Sequence, residues 1–227
     1  MNNPKAISKQ TLLRLPSYLS YLKSLPKQDG EYVSATMIAS ALGLNDVQVR
    51  KDLACVSKKS RPKLGYVAEE LIRDIESFLG YDSLNDAIIV GAGRLGGALL
   101  SYEGFKEYGL NIVAAFDVDE SKIGTEICGR KIFPLDKMKE LCRRMKIRIG
   151  IITVPADSAQ KVCDMLVDSG IYAIWNFAPV HLKVPDNILV QQENMAASLA
   201  VLSAHLAEAI KNNGIGKGDK ENDENSE

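Results

Sequence analysis

A chain of 227 residues, 46% of them hydrophobic, can bury a substantial core in one large domain or two small ones. No apolar run approaches the length of a membrane span, the start Met1-Asn2-Asn3-Pro4-Lys5 lacks the apolar core of a signal peptide, and Cys55, Cys128, Cys142 and Cys163 show no C-x-x-C spacing, so a cytoplasmic protein with free thiols and no metal site is expected. The net charge of −1 is unevenly spread: residues 1–66 hold eight Lys and three Arg against four acidic residues, a net +7, which leaves −8 on residues 67–227 and points to a polyanionic partner for the basic end.

Ser8 to Arg14 reads as a short helix that stops before Pro16, because the residue preceding proline is pushed out of the helical region. Pro16 suits the first position of a second helix running through Leu25, with Tyr18, Leu19, Leu22 and Leu25 on one face. Ser34 can cap a helix from Ala35 to Leu42, which Gly43 would end. After the turn Gly43-Leu44-Asn45, Asn45 and Gln48 resemble a capping box that opens a helix through about Val56. Helix, short turn with glycine, helix is the helix-turn-helix pattern. In the second of these helices Val49, Leu53 and Val56 would face the core, which turns Lys51 outward, flanked by Gln48 and Arg50. Such side chains can reach purine edges in a major groove or hold phosphates. The basic loop Lys58 to Tyr66 then reads as the wing of a winged helix lying along the phosphate backbone; its alternative is the solvated loop of a plain helical hairpin. Arg14, Gln48, Arg50, Lys51, Lys58, Lys59, Arg61, Lys63 and Tyr66 are the candidate DNA contacts.

A third amphipathic helix, from Val67 to about Leu84, joins this basic region to a second domain, with Gly80 to Asp86 as linker. The apolar run Ala87 to Val90 then meets Gly91-Ala92-Gly93-Arg94-Leu95-Gly96, a G-x-G-x-x-G turn opening a helix. In that motif Gly91 allows the tight turn, Gly93 lets the backbone approach a pyrophosphate and Gly96 lets the helix pack on its strand, while free N–H groups at the helix start attract phosphate. A second strand, Ile112 to Phe116, ends in Asp117 about twenty residues past Gly96, where a carboxylate accepts from both adenosine ribose hydroxyls and repels a 2′-phosphate. The site therefore reads as one for NAD(H) over NADP(H).

Further on come a helix around Leu135 to Met145, a strand Ile147 to Val154, a helix Ala156 to Asp168 and a strand Tyr172 to Asn176. Their alternation predicts a doubly wound parallel α/β sheet. Ligands bind at the carboxyl ends of such strands, which singles out Thr153, Val154 and Pro155, and Asn176, Phe177, Ala178 and Pro179. The Val154, Pro155 and Phe177 to Pro179 walls are apolar; a neutral reduced nicotinamide suits them better than the oxidised cation.

Taken together, Arg14-Leu15-Pro16-x-Tyr18-Leu19, Val49 to Leu53, Gly91 to Gly96 continuing to Tyr102-x-Gly104-Phe105, Ala114 to Asp119, Thr153 to Ala156 and Asn176 to Pro179 resemble the Rex family of redox-sensing transcriptional repressors, over roughly residues 8 to 206. The resemblance implies a winged-helix domain over residues 1–80 and a Rossmann NAD(H)-binding domain over 81–211. It further implies a homodimer whose C-terminal helix, about 194–211, exchanges between subunits, release of DNA when NADH replaces NAD+, and Tyr102 near the nicotinamide. Gly91, Ala92, Gly93, Arg94, Leu95, Gly96, Tyr102, Asp117, Thr153, Pro155, Asn176, Phe177 and Pro179 are thus the expected cofactor residues. Ser57, Ser60 and Pro62 depart from the glycine-richer wing of the family. Ser20 and Asn194 stand where some members carry an arginine and a carboxylate that pair across domains, so that relay is not expected.

The C-terminal face Leu199, Leu202, Leu206 and Ile210 fits packing in its own subunit or its partner's, and residues 212–227 read as a disordered acidic tail. Two other functions remain open to the sequence: an NAD-dependent oxidoreductase with a basic helical assembly domain, and a thiol sensor acting through Cys55. Catalysis would need an acid or base beside the nicotinamide, and neither His181 nor His205 is well placed for it.

Overall fold

The computed structural model describes residues 7–26 and 31–213, and the chain divides into two compact units. Unit one comprises Met1–Asn85 with Glu103–Asn111; unit two comprises Asp86–Tyr102 with Ile112–Glu227.

Unit one begins with α1 (Lys9–Ser24), a single helix with Pro16 inside it, where the sequence predicts two helices. Proline removes only the N–H that would bond the Leu12 carbonyl, and Leu12 lies on the solvent side. Against that loss stand a Ser8 cap on the Thr11 N–H and burial of Leu15, Tyr18, Leu19 and Leu22 on one face, so tertiary packing overrides the local signal. The next helices follow the sequence closely. Ser34 caps α2 (Ala35–Leu42), Gly43 closes it in the left-handed region, and Asn45 caps α3 (Asp46–Val56) by accepting from the Val47 and Gln48 N–H groups. The reciprocal half of a capping box is missing, because the Gln48 side chain turns to Asp52.

The basic loop leads from α3 into β2 (Tyr66–Val67), the antiparallel partner of β1 (Tyr32–Val33), and closes on an Arg61–Gly65 bridge. Gly65 is at φ +92°, and a side chain there would collide with the Val33 carbonyl. One glycine where the backbone requires it thus makes the wing, despite Ser57, Ser60 and Pro62. The third helix, α4 (Ala68–Leu79), ends at Gly80, earlier than the periodicity suggests. Its Leu71 and Ile75 complete a core with Leu15, Tyr18, Ile38, Val49 and Leu53.

Unit two is built on a seven-stranded sheet. β3 (Asn85–Val90), α5 (Arg94–Ser101), β4 (Leu110–Asp117), β5 (Glu126–Ile127), β6 (Arg130–Pro134), α6 (Met138–Met145), β7 (Ile149–Ile152), α7 (Ala156–Asp168), β8 (Ala173–Asn176), β9 (Leu189–Gln192) and α8 (Met195–Asn213) succeed one another in chain order. The sheet order is β5-β6-β4-β3-β7-β8-β9, with parallel pairing of β3 with β7, β4 with β6, β7 with β8 and β8 with β9, and an antiparallel β5 at one edge. This is a doubly wound parallel sheet. The chain winds outward from β3 through β4 to β6, returns to β7 and winds the other way, which places a topological switch point at the carboxyl end of β3. Ile88 and Val90 enter a core with Met138 and Leu141 of α6 and Val162 and Leu166 of α7. Ala87 and Ile89, on the opposite face by strand alternation, are fully buried as well. Of the proposed acidic tail, residues 212 and 213 belong to α8 and the remainder lies outside the described residues.

Candidate functional site

The switch point of unit two is built by glycines with different duties. Gly91, at φ +100°, has Thr153 O 2.8 Å from where a Cβ would sit, and a Cβ on Gly96 would strike the Gly91 carbonyl oxygen. Both are required by the protein's own backbone. Gly93 is different: its φ of −77° suits any residue, and a Cβ there would meet no protein atom within 4 Å. A glycine at this N-cap position leaves the backbone open to close approach, and the helix start offers N–H groups of the kind that hold a pyrophosphate. Thr153 locks the turn, donating from N to Val90 O at 2.9 Å and placing Oγ1 2.8 Å from Gly91 O.

Asp117 closes β4 beside this turn, only 8% exposed. Its Oδ2 accepts from the Ala92 N–H at 2.8 Å, and its Oδ1 accepts from the N–H groups of Val118 and Asp119 at 2.7 and 2.9 Å. Lys122 Nζ lies 3.4 Å from Oδ2. Burial works to raise this carboxyl, but the backbone donors and Lys122 outweigh it and hold it below the ordinary carboxylate value, so it stays an anion. A cavity of about 290 Å³ opens here. Gly91, Gly93, Asp117, Thr153 and Pro155 line it, together with Lys122, Ser158, Lys161 and Met165, which sequence reasoning missed. The α7 residues were discoverable, since Ser158, Lys161 and Met165 share one helical face directly after the β7 carboxyl end. Arg94, exposed, opens α5, and Tyr102, 53% exposed, ends it. Ala92, Arg94, Leu95, Gly96, Tyr102, Asn176, Phe177 and Pro179 are not among the cavity's lining residues.

At the end of β8 the residues divide again. Asn176 is fully buried and closed to a ligand: its Nδ2 donates to Val180 O and Gln192 Oε1 at 3.0 and 2.7 Å, and its Oδ1 accepts from the Ala178 N–H at 3.0 Å. It therefore shapes the turn that presents Phe177 and Pro179. The Phe177 ring packs on Trp175, 4.8 Å between centroids, and Trp175 Nε1 donates to Glu193 at 2.8 Å. Among the described residues no cluster of His, Cys, Asp and Glu could hold a metal ion, and no helix is long and apolar enough to cross a membrane. Burial pushes the Cys142 and Cys163 thiols up to about 11, while Cys55 and Cys128 are exposed. Asn194 caps the first turn of α8, and Ser20 is exposed on α1.

In unit one, Val49 and Leu53 are fully buried and Gln48, Arg50 and Lys51 are exposed, as the helical periodicity requires. Arg50 pairs with Asp46 one turn earlier at 3.1 Å. Lys58, Lys59, Arg61 and Lys63 are exposed on the basic loop. Lys59 reaches Asp74 of α4 at 2.8 Å, and Arg61 donates to Tyr32 Oη while lying 5.4 Å from its ring centroid. Two expected DNA contacts are placed otherwise. Tyr66 is 5% exposed and belongs to the core, because β2 pairs with β1 and turns it inward. Arg14 is held by Asp52, donating from Nε and Nη2 at 2.8 and 3.0 Å.

Two family models match the chain, "CoA binding domain" over residues 82–180 and "Putative DNA-binding protein N-terminus" over residues 6–54. The redox-sensing transcriptional repressor Rex of Treponema denticola is 43% identical over 202 residues, 89% of this chain and 96% of that protein. The chain belongs to the Rex family. Rex of Clostridium acetobutylicum is 36% identical over 211 residues, covering 93% of this chain and 99% of its own length. The crystal structure of RSP, a Rex-family repressor, in complex with β-NAD+ and operator DNA superposes with a TM-score of 0.85 at 34% identity, over 95% of this chain and 99% of that one. RSP in complex with β-NADH gives 0.82 at 34% identity, over 93% and 99%.

Proposed function

We propose that this Rex chain is a transcriptional repressor that binds operator DNA as a homodimer, binds NAD(H), and releases DNA when NADH replaces NAD+. The observation that carries this is the likeness, over nearly the whole chain, to a repressor solved with NAD+ and operator DNA and again with NADH. The residues fit the cofactor on their own terms: a glycine with no protein reason for its missing side chain stands at a helix N-terminus, and a buried ionised carboxylate stands at the adjoining strand end. Gly91 to Gly96 would hold the pyrophosphate and Asp117 the adenosine ribose, with Lys122 moving aside to free Oδ2. Phe177, Pro179 and Tyr102 would distinguish the rings. Gln48, Arg50 and Lys51 face the major groove; Lys58, Lys59, Arg61 and Lys63 track the phosphate backbone. The protein works in the cytoplasm and catalyses no reaction. The oxidoreductase alternative finds little support, since the relatives are named repressors and His181 and His205 are solvated side chains without a carboxylate partner among the described residues.

Operator affinity measured by fluorescence anisotropy at saturating NADH, at saturating NAD+ and with neither tests the proposal. NADH should weaken binding while NAD+ does not. Equal affinities in all three states, with calorimetry showing both cofactors bound, would overturn it.

A further inference from the structure

The Asp52 carboxylate is heavily bonded. It is 2% exposed and accepts from Thr11 Oγ1 (3.0 Å), Arg14 Nε and Nη2 (2.8 and 3.0 Å), Tyr18 Oη (2.9 Å) and Gln48 Nε2 (3.0 Å). An ionised carboxylate only accepts hydrogen bonds, so the face that Gln48 turns toward it must be the nitrogen. Turning the carboxamide over would set its oxygen against Asp52 Oδ1, which cannot donate. Gln48 itself is exposed, on the first turns of the recognition helix, and among the described residues its side chain bonds only through Nε2, which leaves Oε1 open. The helix therefore presents to solvent an acceptor, Oε1, with the second Nε2 hydrogen beside it, in an order fixed from behind by Asp52.

In the major groove, adenine N6 and cytosine N4 carry amine donors, while guanine O6 and thymine O4 are acceptors. A carboxamide that can turn over sets either its oxygen or its nitrogen against a base edge; one pinned through Nε2 keeps its oxygen in one place, where an amine donor suits it and a carbonyl oxygen repels it, while the second N–H can still meet adenine N7. We infer that Gln48 selects an amine-bearing base, adenine or cytosine, at one position of each operator half-site, with Asp52 as the positioning residue that fixes its orientation. The inference rests on the DNA-binding reading above, and adds to it which base chemistry this side chain accepts.

The test uses the full-length chain and an operator selected from a random duplex library, resynthesised with each of the four bases at each half-site position and titrated by fluorescence anisotropy. One position should bind with adenine or cytosine on the contacted strand about tenfold more tightly than with guanine or thymine. Gln48→Met, similar in length and without the amide, should erase that preference and leave the other positions as they were. Asp52→Asn, checked for native circular dichroism, should relax the same position, because an amide can face Gln48 either way round. If Asp52→Asn fails to fold, Gln48→Met decides alone. Unchanged preferences in Gln48→Met, or a Gln48-dependent position that favours guanine or thymine, overturn the inference while leaving operator binding and its release by NADH intact. Failure of the native chain to bind any duplex would instead sink the repressor reading, and this inference with it.

Discussion

At the scale of single residues, the turn after β3 holds glycines that the backbone itself requires and, on the proposed function, one that serves the cofactor, and two substitutions should show it. Gly96→Ala drives a methyl group into the Gly91 carbonyl and should cost more than about 2 kcal/mol of stability, read as a lower denaturant midpoint. Gly93→Ala has an allowed backbone and open space, so its midpoint should stay within about 0.5 kcal/mol of native while NADH affinity measured by calorimetry falls. The Asp52 cluster makes a second prediction, about pH. Burial works to raise the Asp52 carboxyl, but Arg14, Tyr18, Gln48 and Thr11 outweigh it and hold it below its ordinary value. A depressed carboxylate contributes stability that is fully present above the ordinary range and is lost as pH falls through the lowered value. The Tyr18 hydroxyl, raised from 10.0 to about 12 by burial and by its bond to Asp52, works at the other end: its contribution is whole below pH 10 and drains away as pH rises toward 12. Tyr18→Phe should cost about 1.5–3 kcal/mol at neutral pH, the worth of a hydrogen bond to a charged group, and should flatten the alkaline decline in a pH series of denaturation curves.

At the scale of elements, the sequence was most legible where a local rule and the tertiary packing agree. Ser34, Gly43 and Asn45 mark helix ends because capping is decided within a few residues, and the structure keeps all three. The turn from β3 into α5 and the Asp117 strand end were legible for the same reason. Pro16 was not, since the burial of Leu15, Tyr18, Leu19 and Leu22 that keeps α1 whole depends on residues far away in sequence. The strands β5, β6 and β9 escaped notice because Arg130-Lys131-Ile132-Phe133 and Leu189-Val190-Gln191-Gln192 are short and mixed; they are strands only because a sheet edge was there to pair with. Tyr66 and Asn176 carry the same lesson at the sites. Their sequence neighbourhoods are functional, but the pairing of β2 turns one inward and a network with Gln192 closes the other. The cost of Pro16 can be measured. Pro16→Ala restores a donor to the Leu12 carbonyl and a better helix former, so it should raise stability by about 1–2 kcal/mol, less than the ~3 kcal/mol of a buried helix interior because that carbonyl side meets water and the unfolded chain gains freedom. A lower midpoint would mean that the proline ring is itself needed, in packing or in restricting the unfolded chain.

At the scale of the whole molecule, α8 and the two sites raise one question of coupling. Met195, Leu199, Leu202, Leu206 and Ile210 are all exposed along a 19-residue helix, more apolar surface than a solvated helix of a lone chain usually shows. On the proposed function this face is covered by a second subunit, and Leu202→Glu should convert a dimer into monomers in sedimentation and abolish tight operator binding while leaving NADH binding to each subunit in place. Dimerisation matters because two recognition helices must meet half-sites about one helical turn apart, and a small change of arrangement misplaces both at once. NADH makes no contact with DNA in this scheme, so it can expel DNA only by binding more tightly to an arrangement that DNA does not accept. Linkage then requires symmetry: the factor by which NADH lowers operator affinity must equal the factor by which operator DNA lowers NADH affinity, on the order of 1–3 kcal/mol for such couplings. Calorimetric titration of NADH into the free dimer and into the operator complex gives one factor, and anisotropy with and without NADH gives the other. On the proposed function Phe177 forms the apolar wall that burdens the charged ring, so Phe177→Ala should shrink the difference between the NADH and NAD+ couplings while operator affinity of the cofactor-free dimer stays near native. Two unequal factors at equilibrium would show that NADH acts through a further state of the protein, such as dissociation of the dimer, and not through a choice between two dimer arrangements.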